Sequence, residues 1–202
     1  DMSDKTIKEA INLNLGGLYN IYYKVINLKN YGSNSSRTRT LVIGVKKKFI
    51  DVSPYDFFPN ENKPKTLKQL ISHLKPLNEM GEISSDDIFH SYRKFDKRML
   101  PWIKNLNEGE SAFDNKKIEN KPHLIVNGKI VLNKNKNGDK YRRNYWDKTG
   151  PCIHTRNDIL ASQNTIHPED NRVFSIREIM LMLTIPKNFK WNNKNLLFLN
   201  KM

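Results

Sequence analysis

The stretch "SSRTRTLVIGV", residues 35–45, decides the expected fold class. Its second half is short and almost purely apolar, which predicts a buried strand over residues 40–45. Strands with apolar side chains on both faces usually belong to parallel sheets of α/β proteins. Two charged side chains, Arg37 and Arg39, stand directly before this run. The chain is therefore expected to contain a piece of a larger α/β domain, with two guanidinium groups at the start of one strand.

The segments around this strand alternate between helical and extended patterns. Residues 4–15 predict a short helix ended by Gly16-Gly17, and residues 19–28 predict a strand. Residues 65–77 have leucines at helical spacing behind a capping box of Thr66 and Gln69. A longer helix is predicted over residues 84–106, with a core-facing stripe of Ile88, Tyr92, Phe95 and Met99. Pro101 is expected to break or kink this helix.

The last third of the chain begins with a hairpin pattern. In residues 123–132 two apolar triplets flank Asn127-Gly128, a pair typical of a two-residue type I′ turn. Residues 133–143 are basic and rich in asparagine, which predicts a solvated loop. From residue 174 a final helix is expected, with Ser175 and Glu178 as a second capping box.

Composition restricts the function classes. The chain has 35 Lys and Arg against 21 Asp and Glu, a formal net charge of +14, which favours nucleic acid or an acidic membrane surface as partner. No apolar run is long enough to span a bilayer, and the polar N-terminus does not resemble a signal peptide. The chain has one cysteine, Cys152, so it cannot form an intrachain disulfide, and its residues do not indicate a zinc cluster. We therefore expect an intracellular, cytoplasmic protein of bacterial type.

Residues 31–45 carry a resemblance to a known family. They are similar to the eighth conserved motif of the DNA (cytosine-5) methyltransferases, which reads Tyr-Gly, then Gln-x-Arg-x-Arg, then an apolar strand closing on glycine. The matching residues are Tyr31, Gly32, Arg37, Arg39 and Gly44, with Ser35 in the place of the glutamine.

Residues 172–186 resemble the ninth motif of the same family. Arg172, Ser175, Arg177 and Glu178 match its Arg-x-x-(Ser/Thr)-x-Arg-Glu pattern, and Pro186 follows the apolar helix. The resemblance implies three segments. Residues 1–45 would end the catalytic α/β domain, residues 46–150 would form the target-recognition domain, and residues 151–202 would join the two. The implied fold is a mixed α/β one, in which the edge of a Rossmann-like methyltransferase sheet adjoins an irregular α+β target-recognition lobe.

The resemblance also implies roles for the opening arginines. Enzymes of this family flip a cytosine out of the duplex, add a cysteine thiolate at C6 and methylate C5 from S-adenosylmethionine. Negative charge then reaches O2 of the ring, and a guanidinium aimed at O2 stabilises it. That catalytic role falls to Arg39, while Arg37 would orient the pocket or hold a phosphate. The alternative for both is a solvated strand entrance that contacts phosphate alone.

Other parts of the family pattern do not occur in these 202 residues. Neither the Pro-Cys-Gln nucleophile nor the Glu-Asn-Val glutamate is found, and the aromatic-Gly-x-Gly cofactor loop is missing. Pro151-Cys152 is followed by Ile153, and it comes after the eighth motif rather than before it, so Cys152 is interpreted as a contact or packing residue. This chain alone is therefore expected to be inactive, to bind no S-adenosylmethionine and no metal, and to need a companion catalytic half.

Several polar residues are candidates for DNA contacts, because amide, hydroxyl and guanidinium groups suit base edges and phosphates. They are Lys46, Lys47, Lys48, Arg142, Arg143, Thr155, Arg156, Asn157, Gln163 and Asn164. A solvated charge cluster for the three lysines and a plain surface loop for residues 154–168 are the alternatives. Arg172, Arg177 and Glu178 are expected to be structural.

Three function classes follow from these observations. The first is the target-recognition portion or subunit of a DNA (cytosine-5) methyltransferase, part of a restriction–modification system and acting on double-stranded DNA. The second is a stand-alone module that reads DNA without catalysis. The third is an unrelated basic RNA-binding protein. The order of the two motifs favours the first.

Overall fold

The computed structural model describes residues 5–134 and 137–190. Four helices and four strands follow one another along this part of the chain. They are α1 (Lys5–Leu15), β1 (Tyr19–Asn27), β2 (Thr38–Lys46), α2 (Leu67–Ile71), α3 (Leu100–Ile103), β3 (His123–Val126), β4 (Lys129–Leu132) and α4 (Ile176–Met182). Short 3-10 turns occur at Leu28–Asn30, Pro54–Phe57, Lys97–Met99, Ala112–Asp114 and Ile118–Asn120.

Residues 1–64 form the first of two compact units. Its strands β1 and β2 pair antiparallel, from Tyr19 opposite Lys46 to Asn27 opposite Thr38. The predicted strand is confirmed, but the expected burial is not found, because Val45 alone is buried in β2. β1 and β2 form a two-stranded sheet in the described part of the chain, and the apolar side chains of residues 41–43 are half-exposed on it.

Residues 65–202 form the second unit, which holds two hydrophobic clusters. One is built around α3 and consists of Trp102, Ile103, Leu106, Ala112, Tyr141, Leu160, Ile166 and Val173. The other joins α2 to α4 and consists of Leu67, Leu70, Ile71, Ile153, Phe174 and Met182. Most of the intervening backbone is irregular, so its polar groups are bonded through turns and isolated bridges rather than through a large sheet.

The helix predicted over residues 84–106 is wrong. The segment is irregular up to Lys97, and the four-residue helix α3 carries Pro101 in its first turn, where a proline is tolerated. Tyr92 and Phe95 still pack against the α3 cluster, but Ile88 is 51% exposed. The backbone of this segment bonds instead to the start of α4, since the amide of Arg177 donates to the carbonyl of Phe89.

The predictions that depend on local signals are confirmed. Thr66 with Gln69 and Ser175 with Glu178 form reciprocal capping boxes at α2 and α4. β3 and β4 form a hairpin, and the two residues between them have positive φ angles of 50° and 73°, as a type I′ turn requires. The helix predicted from residue 65 is shorter than expected and ends at Ile71.

Along the sequence, the boundary between the two compact units falls between residues 64 and 65. The sequence analysis predicted functional boundaries at residues 45 and 150 instead. Residues 151–190 pack with residues 65–150, through both hydrophobic clusters. No helix in residues 5–134 and 137–190 is long and apolar enough to cross a membrane.

Candidate nucleic-acid interface

The two arginines of the eighth-motif segment lie at the entrance to β2. Arg39 is exposed, and its Nη1 donates to the carbonyl of the preceding residue, Thr38, at 2.6 Å. Arg37 is half-buried, one residue before the strand begins. The exposed guanidinium of Arg39 is thus carried on paired backbone, which restricts where its head group can reach.

Asn27, the last residue of β1, holds the segment that carries these arginines. Its Oδ1 accepts the backbone amides of Lys29 and Arg37 at 3.2 and 3.1 Å, and its Nδ2 donates to Ser36 Oγ at 3.0 Å. The amide of Leu28 also donates to the carbonyl of Arg37 at 2.9 Å. One side chain therefore fixes both ends of the 28–37 loop.

Ser35, which stands where the family has glutamine, is buried within this loop. It is 3% exposed, its backbone amide donates to Ser33 Oγ at 3.2 Å, and the two hydroxyls lie 3.2 Å apart. The serine thus serves the internal bonding of the loop. The loop geometry is built from short polar side chains rather than from one long amide.

The lysines at the end of β2 are exposed. Lys46 closes the strand, and Lys47 donates its backbone amide to the carbonyl of Leu18 at 2.9 Å. Lys48 Nζ lies 5.0 Å from the ring centroid of Phe49. All three ammonium groups are available to solvent and hence to an anionic partner.

In the second unit the structure brings together two of the predicted polar segments. Lys140 and Gln163 form an antiparallel bridge, and the amide of Asn164 donates to the carbonyl of Asp139 at 2.7 Å. Arg142 follows on the same segment, where its Nε donates to the carbonyl of Gly138 at 2.7 Å. Thr155 and Arg156 are exposed in the preceding turn. Five predicted contacts, Arg142, Thr155, Arg156, Gln163 and Asn164, thus lie on neighbouring surface loops.

Arg143 does not belong to this surface. It is 3% exposed, and its guanidinium donates to the carbonyls of Ile103, His167, Glu169 and Asp170 and to Asn171 Oδ1 at 2.7–3.1 Å. Burial lowers the pKa of this guanidinium from its ordinary value. The prediction that Arg143 contacts DNA is corrected: the side chain ties α3 to the 167–171 loop.

Asn157 is corrected for a similar reason. It is 4% exposed, and its Oδ1 accepts the backbone amide of His154 at 2.9 Å. Its Nδ2 is buried and has no hydrogen-bond partner among the described residues. The amide side chain closes a turn in the protein interior and offers no edge to a base.

Arg172 and Glu178 form a buried ion pair at the start of α4. The two guanidinium nitrogens donate to the two carboxylate oxygens at 2.8 Å each, and Arg172 Nε donates to Asp170 Oδ2 at 2.9 Å. Burial opposes the ionisation of Glu178, but the bonds from Arg172 outweigh it and keep the pKa of the carboxyl below its usual range. The carboxylate also accepts the amide of Ser175 at 2.7 Å, so the helix cap and the ion pair share one group.

Two buried histidines extend this network. His90 lies 2.7 Å from the carbonyl of Lys75 through Nε2 and 2.9 Å from Ser175 Oγ through Nδ1. The carbonyl can only accept, so Nε2 carries the proton and Nδ1 accepts from the serine hydroxyl. His167 accepts the amides of Glu169 and Asp170 at Nδ1, at 3.2 and 3.0 Å. Burial lowers the pKa of His167 to about 4, so it is neutral at physiological pH.

Arg177, the second arginine of the ninth-motif pattern, pairs with Asp87. Its Nε and Nη2 both bond the carboxylate, and Asp87 Oδ1 also accepts the amide of Phe89 at 3.0 Å. Burial opposes ionisation of Asp87, yet the bonds from Arg177 keep the pKa of this carboxyl below its ordinary value. The pair links α4 to the irregular segment that was predicted to be helical.

Asn27, Asp87, His90 and His167 were missed by the sequence analysis. Of these, Asn27 had a usable signal, since an asparagine at the end of an alternating strand often caps the following turn. Asp87 and His90 offered none for their long-range bonds, because Arg177, Lys75 and Ser175 lie 15 to 90 residues away. His167 bonds to amides two and three residues away, but no motif in the sequence marks it as buried. Cys152, interpreted from the sequence as a contact or packing residue, is exposed.

The described residues contain no group of three or more His, Cys, Asp or Glu side chains arranged to hold a metal ion. Gly16-Gly17 follows α1, and the amide of Gly16 donates to the carbonyl of Asn12 at 2.8 Å, as at a helix end. This pair therefore does not fit a cofactor loop, which would follow a strand.

Comparison with known proteins gives a consistent family. The sequence model described as C-5 cytosine-specific DNA methylase matches residues 3–202. The type II methyltransferase M1.HgaI of Avibacterium volantium is 28% identical over 193 residues, which cover 91% of this chain and 50% of that protein. The type II methylase M.HgiDII of Herpetosiphon aurantiacus is 24% identical over 177 residues, 86% of this chain and 47% of that protein. The chain thus spans about half the length of the curated relatives it matches.

A solved structure shares the fold. A DNA modification methyltransferase encoded within a prophage (E. coli) superposes with a TM-score of 0.57 at 17% identity, covering 90% of this chain and 55% of the other. This likeness confirms the mixed α/β class.

Proposed function

The chain belongs to the family of C-5 cytosine-specific DNA methylases, and from that membership we propose that it is the target-recognition portion of a type II enzyme. In this role it binds double-stranded DNA and helps to hold a flipped cytosine for methylation at C5. The observation that carries the proposal is the pairing of family membership with the position of Arg39, which is exposed near the start of β2, directly after the loop that Asn27 clamps.

The rest of the enzyme would be a companion catalytic half, in the same polypeptide or as a separate subunit. Support comes from the curated relatives, which are type II methyltransferases about twice as long as the part matched here. We propose a restriction–modification system in a bacterial cytoplasm as the setting, because type II modification enzymes serve such systems.

Arg39 is proposed to act on the cytosine itself. When a thiolate adds at C6, negative charge develops on the ring and reaches O2, and a guanidinium held at O2 stabilises that charge as it forms. An arginine suits this position because its planar group stays ionised and donates in a fixed geometry. Arg37, half-buried beside it, would orient the pocket or hold a phosphate.

The methyl donor of the family is S-adenosylmethionine, and we assign its binding to the companion half. The glycine pair of this chain ends a helix and does not fit a cofactor loop. What this chain contributes is contact with DNA, through exposed or half-buried cations, amides and one hydroxyl. These are Lys46, Lys47, Lys48, Arg142, Thr155, Arg156, Gln163 and Asn164.

The test is methylation of duplex DNA by this chain mixed with a catalytic half that carries the Pro-Cys-Gln motif. Arg39→Ala should lower turnover about 10²- to 10³-fold, the scale for one donor to a developing anion. Its affinity for DNA should change less than about fivefold, as for one exposed charge. Lys47→Ala is the matched control, and it should lower affinity slightly and leave turnover at saturating DNA unchanged.

The isolated chain should bind duplex DNA at roughly 10⁻⁴ to 10⁻⁶ M in physiological salt, with affinity that falls steeply as salt rises. It should incorporate no labelled methyl group by itself. Methylation by the chain alone would contradict the proposal that the nucleophile and the S-adenosylmethionine site belong to the companion half. Equal losses of affinity in the two variants, with turnover intact, would reduce Arg39 to a phosphate contact and favour a stand-alone DNA reader.

A further inference from the structure

The hairpin β3–β4 exposes apolar side chains that no described residue covers fully. In its register Leu124 lies opposite Val131, and Val126 lies opposite Lys129. Residues directly opposite each other share a face of a two-stranded ribbon, so these four side chains occupy one face. Leu124, Val126 and Val131 are 45–69% exposed. We call this the hairpin face.

The base of the hairpin is anchored in the second unit. The ring of His123 lies 5.3 Å from the ring of Trp102, a member of the α3 cluster. The amide of Asn133 donates to the carbonyl of Pro122 at 3.0 Å, which closes the ribbon below its last strand pair. Asn115 Nδ2 donates to the carbonyls of Trp102, Ala112 and Asn120, which fixes the turns leading into β3. The tip is thus carried on a rigid base.

Positive charge is concentrated around this ribbon. Residues 116–142 contain eight Lys or Arg and two acidic residues, so these 27 of the 202 positions carry +6 of the net +14. Lys129 is exposed directly after the turn, Lys134 is exposed two residues after β4, and Lys116 and Lys117 are exposed in the segment that leads to β3. The hairpin face is apolar and its neighbouring side chains are cationic. It therefore fits an anionic partner whose own apolar groups lie in a groove that the hairpin can enter.

Duplex DNA meets that description, since its major groove is lined by phosphates and displays thymine methyl groups. The groove is about 12 Å wide and 8.5 Å deep, and it admits a two-stranded ribbon. Strands of four residues are about 13 Å long, enough for the tip to reach the groove floor while the base stays outside. The minor groove, about 6 Å wide, is too narrow for a ribbon with side chains.

We propose that the β3–β4 hairpin enters the major groove of the target duplex and contributes to sequence preference. Leu124, Val126 and Val131 contact C5-methyl groups of pyrimidines, and Lys129 reaches a guanine edge or a phosphate. This inference rests on the proposed function and assigns a reading element to it. The turn at Asn127-Gly128 supports the assignment, because two residues with positive φ make the narrowest connection between paired strands.

The experiment starts with selection of duplexes from a randomised pool by the full 202-residue chain. Affinity for the enriched duplex is then compared with that of Leu124→Thr/Val131→Thr, because threonine is β-branched and suits a strand. The matched control is Ile83→Thr/Ile88→Thr, since these isoleucines are 48% and 51% exposed in the same unit but outside the hairpin. Melting temperatures of all three proteins establish that each is folded. Dimethyl sulfate protection separates guanine N7 in the major groove from adenine N3 in the minor groove.

The hairpin variant is expected to bind the enriched duplex about tenfold more weakly, the scale of one mismatched base pair, and to lose protection at guanine N7. The control variant should bind as the wild type does. Unchanged binding by the hairpin variant, or protection confined to adenine N3, would overturn the inference and leave the proposed function intact. So would a variant that keeps its DNA affinity but no longer associates with the catalytic half, which would make the hairpin face a protein interface. Failure of the wild-type chain to bind any duplex would instead overturn the proposed function.

Discussion

The arginines of the two motif-like segments are held in opposite ways. Arg172 is buried and meets two carboxylates at 2.8–2.9 Å, beside histidines that are buried as well. Arg39 is exposed at the entrance to β2, and its Nη1 bonds only to the neighbouring carbonyl of Thr38 among the contacts described above. Because it is buried and bonded to carboxylates, the guanidinium of Arg172 stabilises the fold. The exposed guanidinium of Arg39 is available to a ligand.

This difference predicts where a substitution is felt. A buried charge is costly to strip of its partner, whereas an exposed one contributes little to folding. We therefore expect variants of the network to change the free energy of unfolding, and variants of the β2 entrance to change function with folding intact. The predictions below test that contrast in order of decreasing effect on stability.

Removing the carboxylate of the buried pair should have the largest effect. Glu178→Ala leaves Arg172 charged in the interior and removes the reciprocal cap of α4, so the free energy of unfolding should fall by about 3–5 kcal/mol. Urea unfolding followed by tryptophan fluorescence measures this, because Trp102 and Trp146 lie in the second unit. Glu169→Ala, at an exposed carboxylate, is the control and should change little. Equal losses in the two variants would remove the contrast.

Acid should destabilise the second unit through His167. Its pKa is about 4 in the folded chain against about 6.5 when unfolded, so between these values the unfolded chain binds the additional proton. Stability should therefore fall as the pH decreases from 6.5 towards 4, by up to about 3 kcal/mol. The measurement is urea unfolding between pH 7.5 and 4.5.

The variant His167→Asn provides the control for this pH dependence. Asparagine Oδ1 can accept the same backbone amides but does not titrate, so the slope between pH 6.5 and 4.5 should flatten. A slope that persists in this variant would assign the acid sensitivity to another group.

Two adjacent arginines allow a sharper comparison. Arg143→Lys should cost about 2 kcal/mol of stability, because a lysine cannot serve five acceptors in a fixed fork, and DNA affinity should be unaffected. Arg142→Ala should leave stability almost unchanged and reduce the salt dependence of DNA binding by about one unit. Unfolding curves and salt titrations of both variants provide the measurement. If Arg143→Lys also reduces the salt slope, the buried guanidinium contacts DNA after all.

The smallest effect on stability is expected at Arg39. Arg39→Ala should change the free energy of unfolding by less than about 0.5 kcal/mol, as for surface positions in general, while turnover falls with the catalytic half present. Circular dichroism during thermal unfolding is the measurement, with Asn27→Ala as the comparison. Loss of Asn27 should loosen the 28–37 loop and lower turnover although the residue itself touches no substrate. Wild-type turnover in Asn27→Ala would show that the clamp is dispensable.

Local structure was predictable wherever the partners lie within a few residues. The capping boxes at Thr66 and Ser175 and the turn at Asn127-Gly128 depend on neighbours two or three positions away, and all three are present. The strand at residues 40–45 was predicted as well, although its half-exposed state was not. Apolar patterning indicates that a segment is extended, but it does not state what covers it.

Interactions across long stretches of sequence decided the rest. Phe95 and Met99 have helical spacing and both pack against the α3 cluster, yet the segment before Lys97 is not helical, and its carbonyls at Phe89 and Ser91 accept amides from the start of α4. Arg143 looked like a surface group because nothing nearby in sequence reveals its acceptors, which lie more than twenty residues away. Asn157 bonds locally to the amide of His154, but its burial does not show in the polar sequence around it. The positions of Arg37, Arg39 and the other candidate contacts relative to DNA remain predictions.

The network around Arg172 constrains how such a chain could be recombined with its relatives. It draws on residues from Lys75 to Glu178, so a crossover at residue 150 would separate Arg143 from four of its five acceptors and Asp87 from its arginine. A crossover at residues 64 and 65 would cut none of these bonds, and it would keep Asn27 together with the loop it clamps. Chimeras that exchange DNA specificity should therefore survive when joined there, and the units inherited in evolution should follow that junction rather than the ends of the motifs.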